Sequence, residues 1–356
     1  KILSAGHKVA LCEQLEDPAA AKGIVKRAVV RVLTPALVGD PELVSEDQKY
    51  YLLSIHAAGD GSYGLCLVDL LDNQLRVGTA ASPAVIDEVW QEYLPREILT
   101  DSVTAQSDWI QRLRQVGPRR LVTERSDYFT PQANVDAAAN AQAALMLYLA
   151  ETQKTDSLPT FGEPLSLFSS AKMVLDSVTL AALEITRPAA EGGRSLAQTI
   201  DETVTPMGRR LLRDWLSQPS RDAATLEGRH NAVESLVNGA ELADCLRTLL
   251  KPMRDLERLS TKTALGLAMP RDLVAIREVL LQLPELRHRL IKSPCKALAA
   301  IGGKIDPLIE LTALLQEALE DQAPGTFRDG GIFKSGFHPQ IAEYRGLSQD
   351  AKGTIA

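Results

Sequence analysis

Glycine spacing in the first half of the chain offers one candidate for nucleotide chemistry. Gly59, Gly61 and Gly64 match the pattern G-x-G-x-x-G, which binds dinucleotide phosphates when a strand precedes it and a helix follows it. Here residues 65–69 are typical of a strand, so no helix N-terminus would face a phosphate. The pattern therefore predicts a turn between two strands.

A phosphate-binding loop of the type G-x-x-x-x-G-K-[ST] is absent from the sequence. The nearest match is Gly303-Lys304, but Leu298 replaces the first glycine and Ile305 replaces the hydroxyl residue. Without that hydroxyl a Mg²⁺ ion lacks its protein ligand, so these residues do not predict ATP hydrolysis. The favoured interpretation is a helix that ends near Gly302 and Gly303.

Three carboxylates lie at the ends of predicted strands and could hold metal ions for nuclease chemistry: Asp69, Asp101 and Glu124. A ribonuclease-H-like nuclease also needs an acid on its first strand, and the predicted first strand, residues 50–57, has none. Acids at strand ends are more often solvated turn residues. A metal-dependent nuclease of ribonuclease-H-like fold is therefore kept as the alternative function, and no metal or catalytic residue is assigned.

Histidine and cysteine spacing predicts neither a zinc site nor a disulfide framework. The 5 histidines include no i,i+4 pair, and the 4 cysteines include no C-x-x-C. Separated cysteines fit a reducing compartment, so a cytoplasmic protein is expected. No membrane partner is expected either, because no apolar run approaches the roughly 18 residues of a membrane span.

Basic residues form the remaining candidate site. Six are predicted to contact DNA phosphates: Lys22, Lys26, Arg27, Arg209, Arg210 and Arg213. For the arginines, which fall on one predicted helix, a solvated face with local ion pairs is the favoured alternative. A second basic row runs over residues 247–262, but Pro252 is expected to break its helix in two.

Length and charge limit the organisation of the chain. Its 356 residues predict two or three domains, and 45% hydrophobic residues with 24% charged residues exclude disorder. Residues 1–39 hold six basic and three acidic residues, a balance of +3, whereas residues 47–168 hold nine and sixteen, a balance of −7. The middle segment is therefore the least suited to a phosphate backbone.

Periodicity predicts three kinds of segment. The first has two strands, residues 7–13 and 28–34, separated by a helix that starts at Asp17-Pro18. The second has three meandering strands followed by βαβ elements, which predicts a mixed sheet flanked by helices. Predicted elements of this segment cover residues 50–57, 63–69 and 75–80, a helix that follows Ser82-Pro83, and residues 97–100, 105–116, 120–124 and 130–152.

The third segment is predicted to be an irregular helical bundle. Three of its helices are expected to start with an N-cap residue followed by a first-turn proline, at Thr205-Pro206, Ser293-Pro294 and Asp306-Pro307. Because the chain starts with Lys1 and stops inside a helical pattern, it is expected to be part of a longer protein.

Several strings of residues resemble one family. VALCEQLEDP at residues 9–18, KGIVKR at 22–27 and TVTPMG at 203–208 resemble the bacterial MutS family of DNA mismatch repair proteins, and further strings follow in the family's order. The resemblance covers nearly the whole chain, although residues 47–168 match in pattern only.

The resemblance implies a multidomain α/β plus all-α layout. Residues 1–39 would be the remnant of the mismatch-binding domain, 40–46 a linker, 47–168 an inactive ribonuclease-H-like connector domain, 169–340 the helical core domain, and 341–356 the start of the lever helix. The family's Phe-x-Glu mismatch-reading motif, expected near the N-terminus, does not occur in residues 1–39, and the string Phe161-Gly162-Glu163 lies within the predicted connector instead.

The resemblance also implies a function and partners. The chain would supply the scaffold that links mismatch binding to an ATPase domain of the parent protein, where ATP and Mg²⁺ would bind. By itself it would be neither an enzyme nor a cofactor-binding protein. The parent would bind mismatched duplex DNA, contact MutL through the connector domain and form a homodimer.

Overall fold

The computed structural model describes residues 2–14, 24–38, 49–71, 73–115, 121–129, 136–154, 158–168, 171–173, 175 and 177–355. Within these ranges the strands are β1 (Val9–Gln14), β2 (Arg27–Leu33), β3 (Tyr51–Ala57), β4 (Tyr63–Asp69), β5 (Gln74–Ala80), β6 (Glu97–Thr100), β7 (Leu121–Glu124) and β8 (Leu165–Ser166). The first helices are α1 (Pro83–Tyr93), α2 (Ser102–Ala105), α3 (Asp108–Gln115), α4 (Ala137–Gln153), α5 (Ser177–Ala182), α6 (Leu196–Ile200) and α7 (Pro206–Ser217). The later helices are α8 (Ala223–Asn238), α9 (Ala240–Leu250), α10 (Leu256–Ala264), α11 (Pro270–Ile291), α12 (Lys296–Lys304), α13 (Ile309–Ala318) and α14 (Pro339–Ile355).

Spatial contacts divide the chain into two compact units. The first, the sheet unit, comprises Lys1–Glu202, Arg210–Arg221 and Thr261–Leu267. The second, the helical unit, comprises Thr203–Arg209, Asp222–Ser260 and Ala268–Ala356. The residues up to Glu202 group with the sheet in this division, and the domain limit at residue 168 stays a prediction.

A mixed sheet is the centre of the sheet unit, and this confirms the fold predicted for the middle of the chain. The strand order is β7-β6-β3-β4-β5-β8. Strands β3, β4 and β5 form an antiparallel meander, with Leu53 opposite Leu67, whereas β6 and β7 run parallel to β3. The tight turns of the meander and the helical crossovers that precede β6 and β7 account for these two directions.

Helices cover both faces of this sheet. Alternate side chains of a strand point to opposite faces, so Leu52 packs with Leu145 of α4 whereas Leu53 packs with Ile86 of α1. Because both faces are buried, β3 and β4 are nearly continuous apolar runs rather than alternating patterns.

The antiparallel pair β1–β2 leads directly into the core of the sheet unit. Leu37 is fully buried and packs in the cluster that lies between the sheet and α4, together with Ala36. The N–H of Leu37 donates to the Thr34 hydroxyl at 3.1 Å, which holds the turn. The pair is therefore anchored to the sheet by the residues that follow it. The helix predicted at Asp17-Pro18 lies outside the described residues.

The helical unit packs around its longest helix, α11, which contacts α9, α12 and α13. Its main core cluster combines Leu246 of α9, Val279 and Leu290 of α11, and Leu298 of α12. This arrangement agrees with the predicted irregular bundle. Across the described residues of both units, no helix is long and apolar enough to span a membrane.

The three proline-containing helix starts have different outcomes. At α7 the Thr205 hydroxyl accepts a hydrogen bond from the N–H of Gly208 at 3.0 Å, and the predicted N-cap is confirmed. The starts at Ser293-Pro294 and Asp306-Pro307 are wrong by two residues, since Cys295 and Leu308 occupy the N-cap positions. In both cases the polar side chain bonds the N–H two residues later and closes a turn before the helix.

The helix predicted over residues 105–116 is divided into α2 and α3. The Ser107 hydroxyl donates to the carbonyl of Thr104 at 2.6 Å, and the side-chain amide of Gln111 donates to the carbonyl of Ala105 at 2.9 Å. These side chains satisfy carbonyls at the end of α2, so the backbone interrupts the helix there. The C-terminal limit of the prediction, Val116, lies outside the described residues.

Candidate functional site

The glycine pattern at residues 59–64 forms the predicted turn between β3 and β4. Gly61 has a φ of +86°, the carboxylate of Asp60 accepts the N–H of Ser62 at 2.9 Å, and a strand follows. Gly64 has a separate role, because a side chain there would overlap the backbone of Ala137 at the start of α4. The pattern thus serves a hairpin and a close helix–strand contact rather than a nucleotide.

The three strand-end carboxylates do not come together. Strand β4 runs antiparallel to β3, so Asp69 lies opposite Tyr51, at the edge where β3 begins. Asp101 and Glu124 lie at the other edge, where the parallel strands β6 and β7 end. Among the residues that the structure describes, no group of three His, Cys, Asp or Glu side chains is placed to hold a metal ion.

Two of these acids are turn or cap residues, but they are buried rather than solvated as predicted. The carboxylate of Asp69 accepts the N–H of Leu71 at 3.1 Å. That of Asp101 accepts the N–H and the hydroxyl of Thr104 at 2.7 and 2.9 Å, and it lies 3.1 Å from Nδ1 of His56. Burial acts to raise the pKa of Asp101, but the hydrogen bonds from His56 and Thr104 outweigh it and the pKa is lowered. Asp101 therefore caps α2.

The near match to a phosphate-binding loop is a helix end, as predicted. Helix α12 ends at Lys304, directly after Gly302 and Gly303. Gly302 lies against α11, where a side chain would come within 2.8 Å of the backbone nitrogen of Ile291, whereas a side chain at Gly303 would meet nothing within 4 Å. Packing therefore accounts for the first glycine.

The N-terminal basic candidates lie beside the strand pair. Lys26 directly precedes β2 and Arg27 begins it, and both side chains are exposed. Lys22 lies outside the described residues. The two described residues thus present charge to solvent close together, which is compatible with contact to phosphates.

The arginine cluster is less accessible than the sequence implied. Arg210 is buried, with 8% of its surface exposed, and Arg209 and Arg213 are half-buried. Burial makes Arg210 the least accessible of the described candidates for a phosphate contact, and its role stays a prediction. The other two arginines stay candidates.

The second basic row is interrupted as predicted. Helix α9 ends at Leu250 and α10 begins at Leu256, so Pro252 falls between them. Arg258 and Lys262 are buried, which rules out a continuous solvated stripe. Arg258 forms an ion pair with Asp255 at 3.5 Å.

A buried acid that the sequence did not single out joins four parts of the sheet unit. Oε1 of Glu97, at the start of β6, accepts hydrogen bonds from the hydroxyls of Thr123 at 2.8 Å and Tyr148 at 2.5 Å. Its Oε2 accepts one from the Thr34 hydroxyl. Burial raises the pKa of the Glu97 carboxyl, although these hydroxyls and Lys8 act in the opposite direction. No local pattern distinguishes Glu97 from the acids at other strand ends.

Comparison with known proteins places both ends of the chain in one group. The model "MutS domain III" matches residues 178–352, and "MutS domain I" matches residues 1–42. The chain belongs to the MutS family. This confirms the resemblance read from the strings at residues 9–18 and 203–208.

Relatives named DNA mismatch repair protein MutS are similar along the whole chain. The protein of Symbiobacterium thermophilum is 34% identical over 100% of this chain and 43% of its own length. That of Pelotomaculum thermopropionicum is 35% identical, with 100% and 44% covered, and that of Methanothrix thermoacetophila is 34% identical, with 100% and 42% covered. The chain thus spans less than half the length of these MutS relatives.

The matches to MutS domains differ from the compact units in one respect. The domain III match starts at residue 178, whereas the sheet unit continues to Glu202. Helix α6 and all of α5 except Ser177 thus fall within both the MutS domain III match and the sheet unit. A family boundary and a packing boundary need not coincide when short helices pack on a neighbouring fold.

Proposed function

We propose that this chain is the part of a MutS-like mismatch recognition protein that connects mismatch binding to an ATPase domain in DNA mismatch repair. The observation that carries the proposal is the match of MutS domain I and domain III models to the two ends of one chain. The printed name of its relatives, DNA mismatch repair protein MutS, supports the process. In the parent protein, ATP and Mg²⁺ would bind outside these residues, and the location would be cytoplasmic.

We propose further that the sheet is a ribonuclease-H-like connector without the nuclease site. Its strand order and its three antiparallel strands followed by two parallel ones support the fold. The separation of Asp69 from Asp101 and Glu124 argues against nuclease chemistry in it. The connector would then position neighbouring domains and partners. The domain limits at residues 39, 46, 168 and 340 stay proposals.

The proposed DNA contact is electrostatic and independent of sequence. Lys22, Lys26 and Arg27 would bind phosphates, because basic groups that contact phosphates release counterions from the duplex. Of these residues, Lys26 and Arg27 are exposed. Affinity is expected to be weak, with no preference for a G·T mismatch over matched duplex, since residues 1–42, which match MutS domain I, contain no Phe-x-Glu motif.

Fluorescence anisotropy with labelled duplex tests this contact. Replacing Lys22, Lys26 and Arg27 by glutamine should reduce the slope of log affinity against log salt by about 3, roughly one for each phosphate contact. The control replaces three exposed basic residues of the helical unit, Arg287, Lys292 and Lys296, which changes the net charge equally. Equal losses in the two variants, or a reproducible mismatch preference, would contradict the proposal.

The proposed protein partner of the connector is MutL. The acidic balance of residues 47–168, −7, favours a protein surface over DNA. Binding of the chain to MutL should weaken as salt rises and should weaken further when the exposed acids Asp87, Glu88 and Asp108 are neutralised. Neutralising Glu310, Glu317 and Glu343 of the helical unit is the control. Absence of binding at low salt, with the parent protein binding in the same assay, would refute MutL docking here.

Two further proposals have direct tests. The parent is proposed to be a homodimer, which analytical ultracentrifugation of the parent measures.

The chain itself is proposed to lack catalysis, and calorimetry should find no saturable micromolar ATP site in it. A saturable site would contradict the interpretation of Gly302 and Gly303 as a helix end.

A further inference from the structure

The buried carboxylate of Glu97 divides its two oxygens between different parts of the sheet unit. Oε1 accepts the hydroxyls of Thr123 on β7 and Tyr148 on α4. Oε2 accepts the hydroxyl of Thr34, which follows β2. One planar carboxylate therefore accepts hydrogen bonds both from the segment that follows the strand pair and from the sheet and α4.

Thr34 connects Glu97 to the turn that follows β2. Its hydroxyl oxygen accepts the N–H of Leu37 at 3.1 Å while its proton is donated to Glu97. Leu37 is fully buried between the sheet and α4. A shift of the strand pair must therefore disturb the turn, the buried leucine and the carboxylate together.

A second side chain next to the strand pair, that of Lys8, also lies near Glu97 and Tyr148. Lys8, which directly precedes β1, places its ammonium 5.1 Å from the ring centroid of Tyr148. Burial lowers the pKa of Lys8, and the nearby Glu97 charge opposes that change. The ammonium of Lys8 and the hydroxyl of Thr34 thus lie beside the same cluster of side chains. The other members of this cluster belong to the sheet and α4.

We propose that Glu97 is a positioning residue that couples the β1–β2 pair to β6, β7 and α4. Movement of the pair changes the hydrogen bond at one carboxylate oxygen and thereby reorients the other. A change on the sheet side reaches the strand pair by the same route, because coupling between two sites is reciprocal. That the coupling serves mismatch sensing rests on the function proposed above. The coupling itself does not, since it requires no DNA.

Amide hydrogen exchange of the 356-residue chain, measured without DNA, tests the coupling. The variants are Thr34→Val, Thr123→Val and the double substitution, which remove hydroxyl donors from opposite sides of Glu97 with little change in volume. Thr123→Val should accelerate exchange in residues 27–38 roughly fivefold, and Thr34→Val should do the same in residues 121–124. Fivefold corresponds to about 1 kcal/mol of coupling. The double variant should give less than the product of the two single effects.

Two variants separate coupling from simple loss of a buried hydroxyl. Thr34→Ser keeps the hydroxyl and should restore wild-type exchange in residues 121–124. Thr152→Val removes a buried hydroxyl that donates to the carbonyls of Tyr148 and Leu149 on its own helix, and it should leave residues 27–38 unchanged. Effects confined to the mutated side, with additive single variants, would overturn the proposal. Failure of the DNA titrations with reciprocal exchange effects intact would instead refute the proposed function alone.

Discussion

The sheet unit and the helical unit bury apolar residues to different extents. In the sheet unit, residues on both faces of β3 and β4 are fully buried under helices. In the helical unit, α8 has no buried residue, and Val237 of α8 and Ile309 of α13 are 74% and 69% exposed. A sheet covered on both faces buries its apolar side chains in a dense core, whereas α8 and α13 leave apolar side chains in water. The same type of core substitution should therefore lower the free energy of unfolding more in the sheet unit than in the helical unit.

Close helix–strand packing at Gly64 should give the largest effect. Gly64→Ala places a Cβ against the backbone of Ala137, which has no rotamer to adjust, so we expect a loss of about 3 kcal/mol or more. The matched change Gly59→Ala meets nothing within 4 Å and should cost less than about 0.5 kcal/mol. Urea unfolding followed by tryptophan fluorescence measures both variants, because Trp90 and Trp109 lie in the core of the sheet unit. Similar midpoints for the two variants would contradict the contact.

Leucine truncation compares the two cores directly. Leu53→Ala, in the sheet core, should destabilise by about 4 kcal/mol, and Leu286→Ala, in the helical core, by about 2 kcal/mol. Leu314→Ala on the exposed side of α13 should cost less than about 0.5 kcal/mol. Tryptophan fluorescence follows the first variant and far-ultraviolet circular dichroism the other two. Equal losses at Leu53 and Leu286 would remove the difference between the cores.

A buried arginine is the polar feature on which the helical unit depends. Nη1 of Arg277 donates to the carbonyl of Leu319 at 3.1 Å and lies 3.3 Å from the carboxylate of Asp321. Arg277→Met should cost about 2 kcal/mol, because the buried carbonyl loses its charged donor. Arg289→Met removes an exposed ion pair with Glu285 and should cost less than Arg277→Met, because solvent screens exposed charges. Circular dichroism during thermal unfolding should separate the two, and a larger loss for Arg289→Met would contradict this ranking.

The pH dependence should differ in sign between the units and give the smallest effect. Burial raises the pKa of Glu97, so its contribution to stability is present at low pH and is lost as pH rises above the ordinary value of 4.5. The hydrogen bond from Arg289 lowers the pKa of Glu285, whose contribution is lost as pH falls below 4.5.

Two amide variants check these signs. Glu97→Gln should flatten the dependence of unfolding on pH above 4.5 when fluorescence is the probe. Glu285→Gln should flatten the acid side when circular dichroism is the probe. If Glu97→Gln flattened the acid side and Glu285→Gln the side above pH 4.5, other groups would dominate the dependence of stability on pH.

Most elements of the sheet could be predicted because their signals are local. Strands β4 and β6 have the predicted limits, and the hairpin at Gly61 follows from residues that tolerate a left-handed turn. The start of α7 at Thr205 follows from a side chain that caps its own helix. The starts of α12 and α13 were misplaced because the same residue types also close turns before a helix.

Local sequence patterns did not predict which side chains are buried. Arg210 and Arg213 share one helix and one residue type, yet one is buried and the other half-buried. Asp69 and Asp101 both end strands but lie at opposite edges of the sheet, since direction depends on strand pairing. Spacing along a helix or strand specifies neighbours on that element and not the elements that pack against it.

By itself the sequence determined the family, the segment order and the absence of a phosphate-binding loop, because each depends on residue identities in a fixed order. Only the tertiary structure decided that Glu97 receives hydroxyls from residues as far along the chain as Thr34 and Tyr148. A carboxylate is buried at a cost that only converging donors offset, and those donors come from strands and a helix that are distant in sequence. Their convergence is a property of the packed sheet, which no local spacing encodes.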